Sequence, residues 1–150
     1  MKQGLIRGRE LQKRHRLGVE MLIDRVCPGG GWNAGNAVVY GVPLRPHVDA
    51  TALALAALRF HHSLPIVRDS LTWILNRIDC PSAYSLAWVI LSAAAYKDLR
   101  SDVSPALDMA RDRLAALVDD PGAIQDTSTI ALAVLALEPE TSNNPLEMRM

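Results

Sequence analysis

The residues best equipped for chemistry in this 150-residue chain gather in one glycine-rich stretch. Residues 28–48 hold Trp32, Asn33, Asn36, Tyr40, Arg45 and His47 among repeated glycines. A connection of about 20 residues exceeds the usual limit for structureless loops in compact domains. Such loops are often where ligands are contacted, and amide, phenol and imidazole groups supply both donors and acceptors. The plainer reading is that the glycines allow tight turns and Trp32 pins the loop to an outer layer of the fold. Elsewhere the chemistry thins out. His61-His62 follow an apolar run, where an imidazole near a helix C-terminus suits the helix dipole. The four histidines show no metal-motif spacing, and neither a Gly-x-Ser-x-Gly elbow nor a phosphate loop is present. Asp119-Asp120 before Pro121 reads as a solvated turn.

The elements that must position these groups alternate between two kinds of helix. Residues 17–26 place Val19, Leu22, Ile23 and Val26 on one side, with Glu20, Asp24 and Arg25 opposite. Residues 66–78 set Val67, Leu71, Ile74, Leu75 and Ile78 against Arg68, Asp69, Asn76 and Arg77. Residues 105–118 repeat the pattern through Leu107, Ala110, Leu114, Leu117 and Val118. These spacings predict surface helices. Between them ATALALAAL (50–58), YSLAWVILSAAA (84–95) and TSTIALAVLAL (127–137) have no polar face. Their length and alanine content favour helix over strand, and a helix apolar all round is expected to be buried on all sides.

Asp49, Ser82 and Asp126 stand before the apolar helices as expected N-caps, and Ser104-Pro105 is expected to open the third surface helix. Pro28, Pro81 and Pro121 follow the surface helices. Aligning the caps superposes DATALALA, SAYSLAWV and DTSTIALA, 33 and 44 residues apart, which is repeat spacing. The expected fold class is all-α, with hairpins at about 17–62, 63–97 and 104–137. An inner apolar layer and an outer amphipathic layer would make a partial α/α toroid.

The chain resembles the terpenoid cyclase and protein prenyltransferase α/α toroids, built from prenyltransferase/squalene oxidase repeats. The resemblance runs over residues 17–137. It is carried most specifically by GGGWNAGN (29–36) leading through a long loop to DATALAL (49–55), a pattern similar to squalene-cyclase-like bacterial repeat proteins. The second and third repeats lack the Gly-Trp signature and match by pattern alone. Complete members of that family have about twice as many hairpins, so the resemblance implies a fragment, or an arc completed by copies of itself or by a partner. Family cyclases use an Asp-rich acid motif and cavity aromatics, since a cation in a dry pocket needs π faces. Asp119-Asp120 is the nearest approach to that motif, and Trp73, Trp88, Tyr84 and Tyr96 are too few to line such a pocket in one chain. Family prenyltransferases hold zinc with Asp, Cys and His. Asp24, Cys27, His47 and Asp49 are the weak counterparts here, at different spacing and with Asp49 already read as a cap.

Charge and composition narrow the partners. Residues 1–16 carry Lys2, Arg7, Arg9, Lys13, Arg14 and Arg16 against Glu10, in a chain of zero net charge. That segment is expected to be a basic tail, allowing at most peripheral membrane contact. Without base-reading motifs or stacking aromatics, nucleic acid is not expected. Residues 138–150 are expected to be a second tail. No apolar stretch reaches the roughly 18 residues that span a bilayer, no signal peptide is recognised, and two cysteines make no disulfide framework, so the cytoplasm is the expected location. The expected function is a repeat module, non-catalytic by itself and without a cofactor. It would bind an apolar or isoprenoid-like ligand, or a partner, on an inner face that includes Leu55 and Trp88. The alternatives are a cyclase- or prenyltransferase-like enzyme completed by oligomerisation, and a structural scaffold or fragment.

Overall fold

Ser82 and Asp126 do what capping residues do. Each holds extended backbone, and its side chain accepts from the N–H three residues on, Ser85 at 3.2 Å and Thr129 at 2.8 Å. From these caps run α4 (Ala83–Ala93) and α6 (Thr127–Leu137) in the computed structural model, which describes residues 2–120 and 122–138, with side chains from residue 8. The remaining helices are α1 (Lys2–Asp24), α2 (Val48–Ala57), α3 (Pro65–Leu75) and α5 (Val103–Val118). Two-residue strands β1 (Val38–Val39) and β2 (Val42–Pro43) pair antiparallel inside the long loop. Short 3₁₀ turns at Arg59–His61 and Ala94–Tyr96 extend α2 and α4. The all-α class therefore holds. None of the described helices is long and apolar enough to cross a membrane.

The three apolar helices lie side by side in the order α2, α4, α6. Helix α3 packs on α2 and α4, and α5 packs on α4 and α6. The core is made where they meet, from Leu55, Leu58, Leu71, Ile74, Leu86, Ile90, Tyr96, Leu107 and Leu114, all buried. Burying one such side chain contributes roughly 1.5–3 kcal/mol. The Tyr96 hydroxyl donates to the Leu55 carbonyl at 2.7 Å, tying the end of α4 to α2. Burial pushes the Tyr96 phenol far above its ordinary range, so it stays a neutral donor.

Several expectations change. Residues 2–16 are helical and continuous with 17–24, so the basic segment is part of α1 rather than a tail. Strong helix formers dominate it, and exposed Glu10–Arg14 and Arg16–Glu20 pairs lie at i,i+4 spacing. The expected 138–150 tail lies outside the described residues from 139 onward, as does Pro121. Helix α1 ends at Asp24, short of Val26, and α3 ends at Leu75, short of Ile78. The first apolar helix is capped at His47, two residues before Asp49, and His47 makes no side-chain cap bond. Asp49 sits in the first turn, where an acid suits the dipole. Helix α5 starts at Val103, before Ser104, leaving Pro105 in its first turn.

The main correction concerns burial. Counted from the caps His47, Ser82 and Asp126, the fourth residues are Thr51, Leu86 and Ile130, and the eighth are Leu55, Ile90 and Val134. Both positions are buried in α2 and α4, yet Ile130 is 50% and Val134 61% exposed in α6. The ninth position repeats this, with Ala56 and Leu91 buried and Leu135 exposed. Helices α2 and α4 each have a hairpin after them in the row, whereas no hairpin follows α6 among the described residues.

Replacing Leu55 with Ala opens a core cavity and is expected to cost about 2–5 kcal/mol. Tyr96→Phe removes one buried hydrogen bond and should cost about 1 kcal/mol. Urea unfolding followed by circular dichroism reads both.

Candidate functional site

The glycine-rich loop is shaped by hydrogen bonds to two buried hydroxyl groups, one on the apolar helix α2 and one on the buried face of the surface helix α3. Thr51 Oγ1 on α2 accepts from the Trp32 N–H at 2.9 Å, and its own hydroxyl faces the Trp32 carbonyl as donor at 3.2 Å. Ser70 Oγ on α3 accepts from the Gly31 N–H at 2.8 Å. The Trp32 indole N–H donates to the Leu22 carbonyl of α1 at 2.8 Å. Three helices are thereby tied to one turn of chain. The main chain closes the turn through Cys27 N–H to the Gly31 carbonyl (2.8 Å) and His47 N–H to the Trp32 carbonyl (2.8 Å). Left-handed backbone is needed here: Gly31 has φ +82°, and an added Cβ would stand 2.8 Å from Pro46 Cβ and 3.0 Å from Thr51 Oγ1.

Beyond this anchor the loop opens to solvent. Asn33 is a local organiser: its amide N–H donates to the Asn36 carbonyl at 3.1 Å, and its Oδ1 accepts from the Gly35 N–H at 2.8 Å. Tyr40 and Gly41, at φ +49° and +78°, form the two-residue turn between β1 and β2, and the Tyr40 side chain projects fully into solvent.

The candidate residues therefore separate. Trp32 and Asn33 line a 320 Å³ groove with Met21, Arg25, Leu53 and Ala57. Asn36, Tyr40 and His47 are exposed and lie outside that groove's lining. Leu55 is completely buried and cannot meet a ligand on an open face. Trp88 is half-buried on α4, edge-on to Tyr84 with ring centroids 6.5 Å apart, and its indole N–H is buried with no hydrogen-bond partner. The sixth position after each cap holds Leu53, Trp88 and Leu132, so three neighbouring helices carry a large apolar group at one register. Sequence reasoning missed Thr51 and Ser70. Their one signal was a lone hydroxyl on an apolar helix face.

Asp24, Cys27, His47 and Asp49 do not gather: among the described residues no group of three or more His, Cys, Asp or Glu could hold a metal ion. His47 is turned outward at the head of α2, while Cys27 is buried under the glycine turn. Burial also pushes the Cys27 thiol up, with a backbone hydrogen bond from Asn33 partly opposing it. His61 stacks on His15 of α1 with ring centroids 6.5 Å apart. A second cavity, of 290 Å³, lies against α6 and is lined by Val118, Ile124, Ile130, Val134 and Leu137 with Asp120 at its edge. A third, of 220 Å³, is bordered by Arg100, which is already bound to Asp102, Thr72 and the Arg68 carbonyl.

No protein-family model, curated protein or solved structure matches this chain.

Gly31→Ala is expected to destabilise the protein by about 1–3 kcal/mol, through strain at positive φ plus the clash with Pro46. Gly29→Ala, with open space around it, should cost less; thermal unfolding of the two variants compares them. Half-buried Cys80 is expected to react with a thiol reagent at mildly alkaline pH well before buried Cys27, as mass mapping of the labelled chain would report.

Proposed function

We propose that this chain is a helical-repeat module of α/α-toroid type, non-catalytic by itself, that holds an apolar, isoprenoid-like ligand against its inner row of helices. The observation that carries this reading is the shared register of Leu53, Trp88 and Leu132 on the adjacent helices α2, α4 and α6. Leu53 is 42% exposed, and Trp88 and Leu132 remain partly open. A strip of large apolar groups crossing three helices offers contact area to a long hydrocarbon without demanding polar partners. Trp88 adds an aromatic π face to that strip.

The non-catalytic reading draws on where the buried nucleophile types are spent. The Thr51 and Ser70 hydroxyls bind the glycine loop, and the Ser92 hydroxyl donates to the Val89 carbonyl at 3.2 Å. The Cys27 thiol is held away from its reactive thiolate form by burial. Two free cysteines accord with a reducing, cytoplasmic setting.

Titration of the purified chain with farnesol, followed by tryptophan fluorescence and isothermal calorimetry, tests the reading. Saturable binding is expected, weakened at least about tenfold by Trp88→Ala, since removing a large aromatic contact costs over 1.4 kcal/mol. Trp73→Ala should leave it unchanged, because Trp73 lies on α3 under the Arg77 guanidinium. A folded chain that shows no saturable binding, or binding indifferent to Trp88→Ala, would overturn the proposal.

A further inference from the structure

The two ends of the helical row are unfinished in complementary ways. At the α6 end, Ile130, Val134 and Leu135 lie bare at the register positions that α2 and α4 keep covered. At the α1–α2 end the opposite face is bare. Leu53 and Ala57, sixth and tenth after the His47 cap, are exposed, whereas the sixth residues Trp88 and Leu132 are partly covered and the tenth, Ser92 and Ala136, are buried. That second face is therefore the one each hairpin turns toward its predecessor. Leu17 and Met21 of α1 extend it as further exposed apolar groups. The 320 Å³ groove with Met21, Leu53 and Ala57 and the 290 Å³ cavity with Ile130 and Val134 are the two halves of one kind of joint.

Charge gives the joint its direction. Exposed Arg9, Lys13, Arg14, Arg16 and Arg25 on or just after α1 outnumber Glu10, Glu20 and Asp24 there. The α6 end carries exposed Asp119, Asp120, Asp126 and Glu138, with no Lys or Arg from 118 to 138. Pairing α6 with α6 would set acid against acid, whereas pairing it with the α1–α2 end sets acid against base. We propose that the α6 face receives the α1–α2 hairpin of a second copy of this chain. The contact is head-to-tail and repeats between molecules the packing that α2 makes with α3 and α4, and α4 with α5 and α6. It shares Leu53 with the proposed ligand strip, so the Ile130→Glu with Val134→Glu variant, which leaves Leu53, Trp88 and Leu132 in place, tells a failure of the joint from a failure of the ligand reading. A head-to-tail contact closes into a ring when the rotation permits and otherwise propagates.

Sedimentation of the full chain and of two variants tests this. Ile130→Glu with Val134→Glu spoils one end, and Met21→Glu with Leu53→Glu spoils the other; all four side chains are exposed, so circular dichroism should report folded chains. The unmodified chain should sediment as a multiple of its 16.4 kDa mass, and each variant alone at the single-chain mass. Mixed, the variants should form a 1:1 complex, since one keeps the α6 face and the other the α1–α2 face. An unmodified chain that stays single would overturn the proposal. So would variants that fail to complement one another, or association that appears only after residues 139–150 are removed, which would mean the chain covers its own α6 face.

Discussion

A helix without a polar face has to be covered on every side, and in this chain cover comes from the next hairpin. Helix α4 is the one apolar helix that has neighbours both before and after it among the described residues, and it is buried along nearly its whole length. Helices α2 and α6 share its composition, but among the described residues each lacks one neighbour. Each is bare on the face that neighbour would take. Uncovered apolar surface in water is costly at about 25 cal/mol per Å², so the same rule that packs the middle of the row leaves both ends in want of contact. Core, exposed strip and reactive edges all follow from this one constraint.

Polar groups enter this arrangement sparingly, and those that reach from one element to another act as joints. Thr51 and Ser70 are buried hydroxyls on otherwise apolar faces, and both satisfy loop N–H groups that would be expensive to bury unpaired. The loop they hold carries Trp32 across to the Leu22 carbonyl, so α1, α2 and α3 are registered by a single turn. Tyr96 does the same between α4 and α2 from the far end. The Gly-Gly-Gly-Trp segment is thus explained structurally as a spacer that lets backbone approach two helices closely. The side chains from Val38 to Arg45 are exposed and take no part in that anchoring.

Much of this architecture was legible in the sequence. The bounds of α6, and the caps Ser82 and Asp126, could be read directly because a side-chain oxygen before an apolar run has few other roles. Asp49 misled, since a carboxylate serves the first turn of a helix as well as its cap, and the true boundary at His47 carries no capping bond. The basic segment hid its helix because residues 8–16 are all exposed, and patterns of burial are what periodicity reports. Leu55 was read as ligand-facing when it is core. An inner helix has both kinds of position, and composition without a polar face cannot tell them apart. The metal candidates failed for a related reason: the chain folds Cys27 inward and His47 outward at the two ends of one loop, which spacing alone does not reveal.

Native-state hydrogen exchange, read helix by helix at two protein concentrations, tests the central claim that hairpin cover governs this fold. The account predicts that α4 amides exchange slowest, that α6 amides exchange fastest among the three apolar helices in dilute solution, and that α6 slows as concentration rises. Equal protection of α4 and α6 in dilute solution, with no dependence on concentration, would contradict it.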